Sequence, residues 1–171
     1  RTKEEGGVCE ADTESYLQVS CEAVESGLID LVDVELFTGD NTVRQIVETA
    51  HSHGEYVVCS NHDFHATPSG EELTSRLRRM DSLGADILKI AAMPCCSQDV
   101  LTLLSVTAEM SAKLSRPLIT MSMSQTGVIS RLCGENFGSS VTFGALGTTS
   151  APGEIDAIAV KNILQLLHSE K

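Results

Sequence analysis

The stretch YVVCSNHDFHATPSGEELTSRLRRMDSLGADILKIAAM, residues 56–93, decides the fold. Its first residues, 56–60, form an apolar run rich in branched side chains, the mark of a strand. Residues 70–83 carry apolar positions at helical spacing, and residues 86–91 form a second apolar run. Strand, helix and strand in that order describe two parallel strands joined by a crossover helix.

The same alternation extends in both directions. Upstream, residues 12–26 place Tyr16, Leu17, Val19, Ala23 and Val24 at helical intervals, and Gly27 follows as a helix stop. Residues 29–37, IDLVDVELF, alternate acidic with apolar side chains, so Asp33 and Glu35 share one face of a strand. A helix is expected over 42–53. Downstream come a helix over 97–114, a strand over 118–123, a short helical turn near 127–132, a strand over 141–143 and a last helix over 155–168.

Such an alternation predicts an α/β fold with a parallel sheet covered on both faces. No GxGxxG follows a strand, so nothing supports the dinucleotide-binding open sheet. Polar residues gather instead at the C-terminal ends of strands: Glu35, Asn61 with His62, and Arg131 just beyond another strand. That is where a (β/α)8 TIM barrel keeps its active site. Five strands are visible and a closed barrel needs eight, so the chain is expected to carry about the last five βα units of an incomplete barrel. It opens on Arg1 rather than methionine, and its natural start is expected upstream. Taken alone, such a set of units is expected to leave exposed edge strands and to fold poorly.

Composition narrows the partners. The 171 residues fit one domain, and a net charge of −12 argues against a nucleic-acid surface. Basic residues in apolar or small-residue segments, Lys89 and Arg131, gain interest as attractors of an anionic ligand. The six cysteines are scattered and lack a CxxC pair, which favours reduced thiols over a disulfide framework. No membrane span or signal peptide is visible, and a cytoplasmic location is the default expectation.

Several residues can carry chemistry. Lys89 lies in a strand of small and aliphatic residues, where desolvation disfavours an ammonium and leaves neutral amine to attack a carbonyl; its stem could equally run along the sheet with its head in water. His62 and His65, in SNHDFH, suit a proton shuttle, a zinc site with Asp63 or Cys59, or plain loop hydrogen bonds. Arg131 could clasp a carboxylate, with the Ser150-containing SAPG loop beside it, or could be a solvated charge. Glu5 could orient a histidine or stay on the surface. Met121 and Met123 could line a pocket or fill a core.

Taken together, ELFTGD (35–40), SNHDFH (60–65), ADILKIA (85–91), ITMSMSQTGVISR (119–131) and TFG followed by SAPG resemble the type I 3-dehydroquinases in order and spacing. The resemblance covers essentially the whole chain. It implies a (β/α)8 barrel, usually a homodimer, that converts 3-dehydroquinate to 3-dehydroshikimate and water in the shikimate pathway, with neither metal nor organic cofactor. It makes Lys89 the Schiff-base lysine attacking the C3 ketone, His62 the acid and base, and Glu5 the acid that orients His62. It makes Arg131, beside Ser150, the carboxylate-binding arginine and Arg1 a hydroxyl-contacting one, with Asp33 and Glu35 beneath the site.

Two departures accompany the resemblance. The first two βα units, the body of the third strand, and a substrate-contacting Glu and Arg are not in this sequence. Glu154 stands where the family usually has glutamine: it either faces the substrate carboxylate or caps the last helix, and capping is the preferred reading. Two other functions remain open at this point, an inactive binding or assembly module and another Schiff-base lyase acting on a related keto acid.

Overall fold

The computed structural model describes residues 1–8, 10–149 and 151–168. Four strands, β1 (Leu31–Glu35), β2 (Tyr56–Asp63), β3 (Ile87–Ala92) and β4 (Leu118–Ser122), form one sheet in chain order, and every neighbouring pair is parallel. Helices α1 (Thr13–Glu25), α2 (Asp40–His53), α3 (Gly70–Ser82) and α4 (Ser97–Ser111) precede or link the strands; α5 (Val128–Cys133) and α6 (Ala157–His168) follow β4. A sheet laid down in sequence order with a helix in each crossover is an arc of a (β/α)8 barrel, since right-handed crossovers wind such units one way round.

The period-two pattern assigns the two faces. Val32 and Val34, Cys59, Leu88 and Ile90, and Leu118 pack outward with Val43, Ile46, Leu73, Leu77, Met80, Leu103 and Met110 of the helices in the main core. The intervening residues, Asp33, Glu35, His62, Lys89, Ala91 and Met121, line a cavity on the other face. Ala91, Ile119, Met121 and Met123 form a small second core there. Local signals set the helix starts: Asp12 accepts from Ser15 N at 2.8 Å to cap α1, and Ser69 accepts from Glu72 N at 3.2 Å to cap α3.

The strand expected over 141–143 is not formed. The chain meets β4 through a single bridge, Ser139 with Leu118, and Ser139 Oγ takes the Thr120 N–H at 3.0 Å. Beyond it Thr142 turns its hydroxyl onto the Arg131 carbonyl at 2.8 Å, and Ala145 bridges Asp156. Isolated bridges and side-chain hydrogen bonds hold the segment, so the alternating Val-Thr-Phe has strand composition but runs as a loop. Among the described residues, the outer edge of β1 has no paired strand.

Candidate active site

The cavity at the C-terminal ends of the strands has a volume of about 510 Å³. His62, Lys89, Arg131, Arg1 and Glu154 line it together, joined by Asp33, Glu35, Met121 and Met123. Lys89 emerges from the middle of β3 with its side chain mostly covered, and its Nζ donates to Asp33 Oδ2 at 2.9 Å. Asp33 in turn accepts from Ser60 Oγ on the intervening strand. The Lys89 ammonium also lies 5.6 Å from the centre of the Phe143 ring. The lysine is therefore held inside the cavity, and does not snorkel to water along the sheet.

His62 is fixed from behind. Glu5 is buried, with 4% exposure, and its Oε2 accepts from both His62 N (2.8 Å) and His62 Nδ1 (2.9 Å), while its Oε1 accepts from Asn61 Nδ2 at 3.0 Å. A carboxylate can only accept, so Nδ1 carries a proton, and in the neutral ring the lone pair lies on Nε2. The turn that presents Glu5 closes through Gly6 N on Lys3 O and Gly7 N on Thr2 O. Gly6 has φ +78°, and a Cβ there would come within 2.4 Å of the Phe64 ring, so a side chain at this position would displace the glutamate's support.

Arg131 is 2% exposed. Its Nη2 donates to Pro152 O at 3.3 Å and its Nη1 approaches Met121 Sδ at 3.6 Å, while Nε has no hydrogen-bond partner among the described residues. Burial pushes the guanidinium below its ordinary value and the nearby Glu154 charge pushes the other way. A buried guanidinium with spare donors is suited to clasp a carboxylate. The loop carrying Glu154 is pinned to the site: Ser124 N donates to Pro152 O at 3.1 Å, and Gly153, at φ +78°, passes so close that a Cβ would sit 2.3 Å from Ser124 O.

Glu154 does not cap the last helix, contrary to the expectation. Helix α6 begins at Ala157, and Asp156 Oδ1 accepts from Ile158 N (2.9 Å) and Ala159 N (3.0 Å). Asp156 is the cap, and Glu154 lies before the helix on the cavity wall. Arg1 also lines the cavity, its guanidinium 5.5 Å from the Phe64 ring centre. Ser150 lies outside the described residues. His65 is exposed, and no group of three or more His, Cys, Asp or Glu among the described residues is arranged to hold a metal. Cys59 is buried, which pushes its thiol up to about 12.

Two residues escaped the sequence reading. Tyr16 counts there only as an apolar position of α1, yet it lines the cavity and its hydroxyl accepts from Glu35 N at 3.0 Å. Thr2 donates its backbone N–H to Glu35 Oε1 at 2.7 Å, which locks that buried carboxylate under the site.

A sequence model of type I 3-dehydroquinase matches residues 1–171. The chain belongs to the type I 3-dehydroquinase family. The 3-dehydroquinate dehydratase of Salmonella agona is 54% identical over 169 residues, covering 98% of this chain and 67% of that protein. The Escherichia coli O9:H4 protein of the same name is 53% identical over the same share. Among solved structures, the type I 3-dehydroquinate dehydratase of Clostridium difficile, with covalently modified comenic acid, superposes with a TM-score of 0.95 at 49% identity, covering 100% of this chain and 68% of that one. The Geobacillus kaustophilus dehydratase gives 0.96 at 37% identity, covering 100% and 66%. The chain thus spans about two thirds of the length of these relatives. Membership places it among the 3-dehydroquinate dehydratases, carbon–oxygen lyases of the shikimate pathway, on a barrel of the TIM type.

Proposed function

We propose that this chain dehydrates 3-dehydroquinate to 3-dehydroshikimate through an imine on Lys89. The observation that carries the reading is one cavity of about 510 Å³ that holds a shielded lysine amine, a histidine with a fixed tautomer and a buried arginine with a spare donor. The Lys89 amine adds to the C3 ketone and water leaves, giving an imine whose protonated form withdraws electrons from C2. His62 Nε2 takes the C2 proton; the resulting enamine expels the C1 hydroxyl, which His62 protonates as it departs. Water then hydrolyses the imine and returns the free amine. The imine is itself the electron sink, so the sequence of steps calls for no metal or organic cofactor.

Arg131 holds the substrate carboxylate in this scheme, and Ser150 is assigned to substrate binding with it. Arg1 meets a ring hydroxyl, Glu5 keeps His62 in its working tautomer, and Glu154 sits against the carboxylate end. Residues 1–171 supply part of one barrel domain, without its first two βα units and third strand; it works in the cytoplasm, and the complete barrel acts as a homodimer.

Borohydride reduction in the presence of 3-dehydroquinate tests the chemistry. The expected product is a covalent adduct on Lys89 in the wild-type chain and none in Lys89→Ala, read by peptide mass spectrometry. A chain that binds the compound yet gains no mass would favour an inactive binding or assembly module.

A further inference from the structure

We propose that Arg76, on the outer helix α3, is a positioning residue for His62, acting through Asn61 and Glu5. The proposal rests on the reading of His62 as the acid and base. Arg76 Nη1 donates to Asn61 Oδ1 at 2.6 Å, Asn61 Nδ2 donates to Glu5 Oε1 at 3.0 Å, and Glu5 Oε2 accepts from His62 Nδ1 at 2.9 Å. Arg76 is itself anchored: its Nε donates to Glu72 at 2.8 Å, its Nη1 lies 3.5 Å from Asp63, and its guanidinium stands 5.1 Å from the Phe37 ring centre.

The chain has one allowed polarity. Guanidinium only donates and carboxylate only accepts, so the amide between them must turn its oxygen to Arg76 and its nitrogen to Glu5. Asn61 is 3% exposed, and an inverted amide would set two donors face to face at one end and two acceptors at the other, away from water. Glu5 thereby keeps its second oxygen for the histidine, and the proton stays on Nδ1. Because Glu72 and Asp63 already surround Arg76, its contribution is directional and does not lie in net charge at the site. Removing it leaves Asn61 free to invert and to push Glu5 away from His62.

The test combines kinetics of the full chain with histidine-selective 15N NMR of the ligand-free protein, the His62 signals assigned by comparison with His62→Gln. In Arg76→Ala, kcat should fall by about tenfold or more while KM stays within about twofold, since an orienting partner of a proton-transfer group acts on the chemical step. His62 should change from a single Nδ1–H tautomer to a mixture, and Arg76→Lys, another pure donor, should recover most of both. Should Arg76→Ala fold poorly, Asn61→Asp keeps the pairing with Arg76 but removes the donor to Glu5, and should give the same tautomer mixture. An Nδ1–H signal unchanged in both Arg76→Ala and Asn61→Asp overturns the proposal, as does an equal loss of kcat in Arg76→Ala and Arg76→Lys with that signal intact. The NMR arm needs no turnover: a wild type that is never trapped by borohydride would reject the imine mechanism while still deciding the role of Arg76.

Discussion

The Lys89 amine sits 2.9 Å from the Asp33 carboxylate, across the strand that separates β1 from β3. Asp33 keeps a second partner, Ser60 Oγ, so it is not stranded when the lysine is removed.

Lys89→Ala should therefore abolish turnover and leave the fold intact. The lost ion pair is partly solvated at Asp33, 41% exposed, and such pairs contribute about 0–1 kcal/mol. Thermal unfolding should shift little while the rate drops to background. Substantial residual turnover in this variant would sink the imine mechanism.

Glu154→Gln should lower KM for 3-dehydroquinate at neutral pH. Glu154 lines the wall shared with Arg131, and its charge acts on that guanidinium, so it would compete there with an incoming carboxylate. A tenfold drop corresponds to about 1.4 kcal/mol. Thermal stability should not change, because Asp156 caps α6; by contrast Asp156→Ala should cost about 1 kcal/mol. An unchanged KM with a lower melting temperature in Glu154→Gln would return that residue to a helix-end role.

Asp86 sets an acid limit on stability. Burial pushes its carboxyl up, but hydrogen bonds from His51 and Val57 N, with the charges of His51 and Arg116, outweigh it and hold the group below its ordinary value. A carboxyl depressed in the folded state contributes stability above its unfolded value, near about 3.9, and loses it as pH falls through the lower folded one. Asp86→Asn should thus be less stable at pH 7 by about 1–3 kcal/mol, with the gap to wild type closing below about pH 4. Urea unfolding at several pH values measures this; a gap independent of pH would remove Asp86 from the acid limb.

Much of the site was legible because period-two alternation is a local property. Asp33 and Glu35 reach the cavity from IDLVDVELF, and Lys89 from ILKIA, by strand geometry alone. The fifth strand is absent although Val-Thr-Phe has strand composition: Ser139 spends its hydroxyl on the Thr120 N–H of β4, and Thr142 turns its hydroxyl onto the Arg131 carbonyl of α5. Glu154 and Asp156 are both acids near a helix start, and only the position of the first helical residue tells them apart. Arg76 gives no signal in SRLRRM, where it reads as one of three surface arginines. Its role arises from a residue 15 positions away on another element.

The Asp86 clamp reaches beyond stability. Its carboxylate takes Val57 N, its own N–H donates to Val57 O at 2.9 Å, and Leu88 N donates to Pro117 O at 3.0 Å. These contacts seat the start of β3 between its neighbours. A slip of one position would carry Leu88 or Ile90 to the cavity face and turn Lys89 into the apolar layer. The lower rim of the sheet thus acts as a gauge for the upper one, fixing from its far end which side chain of the strand enters the cavity.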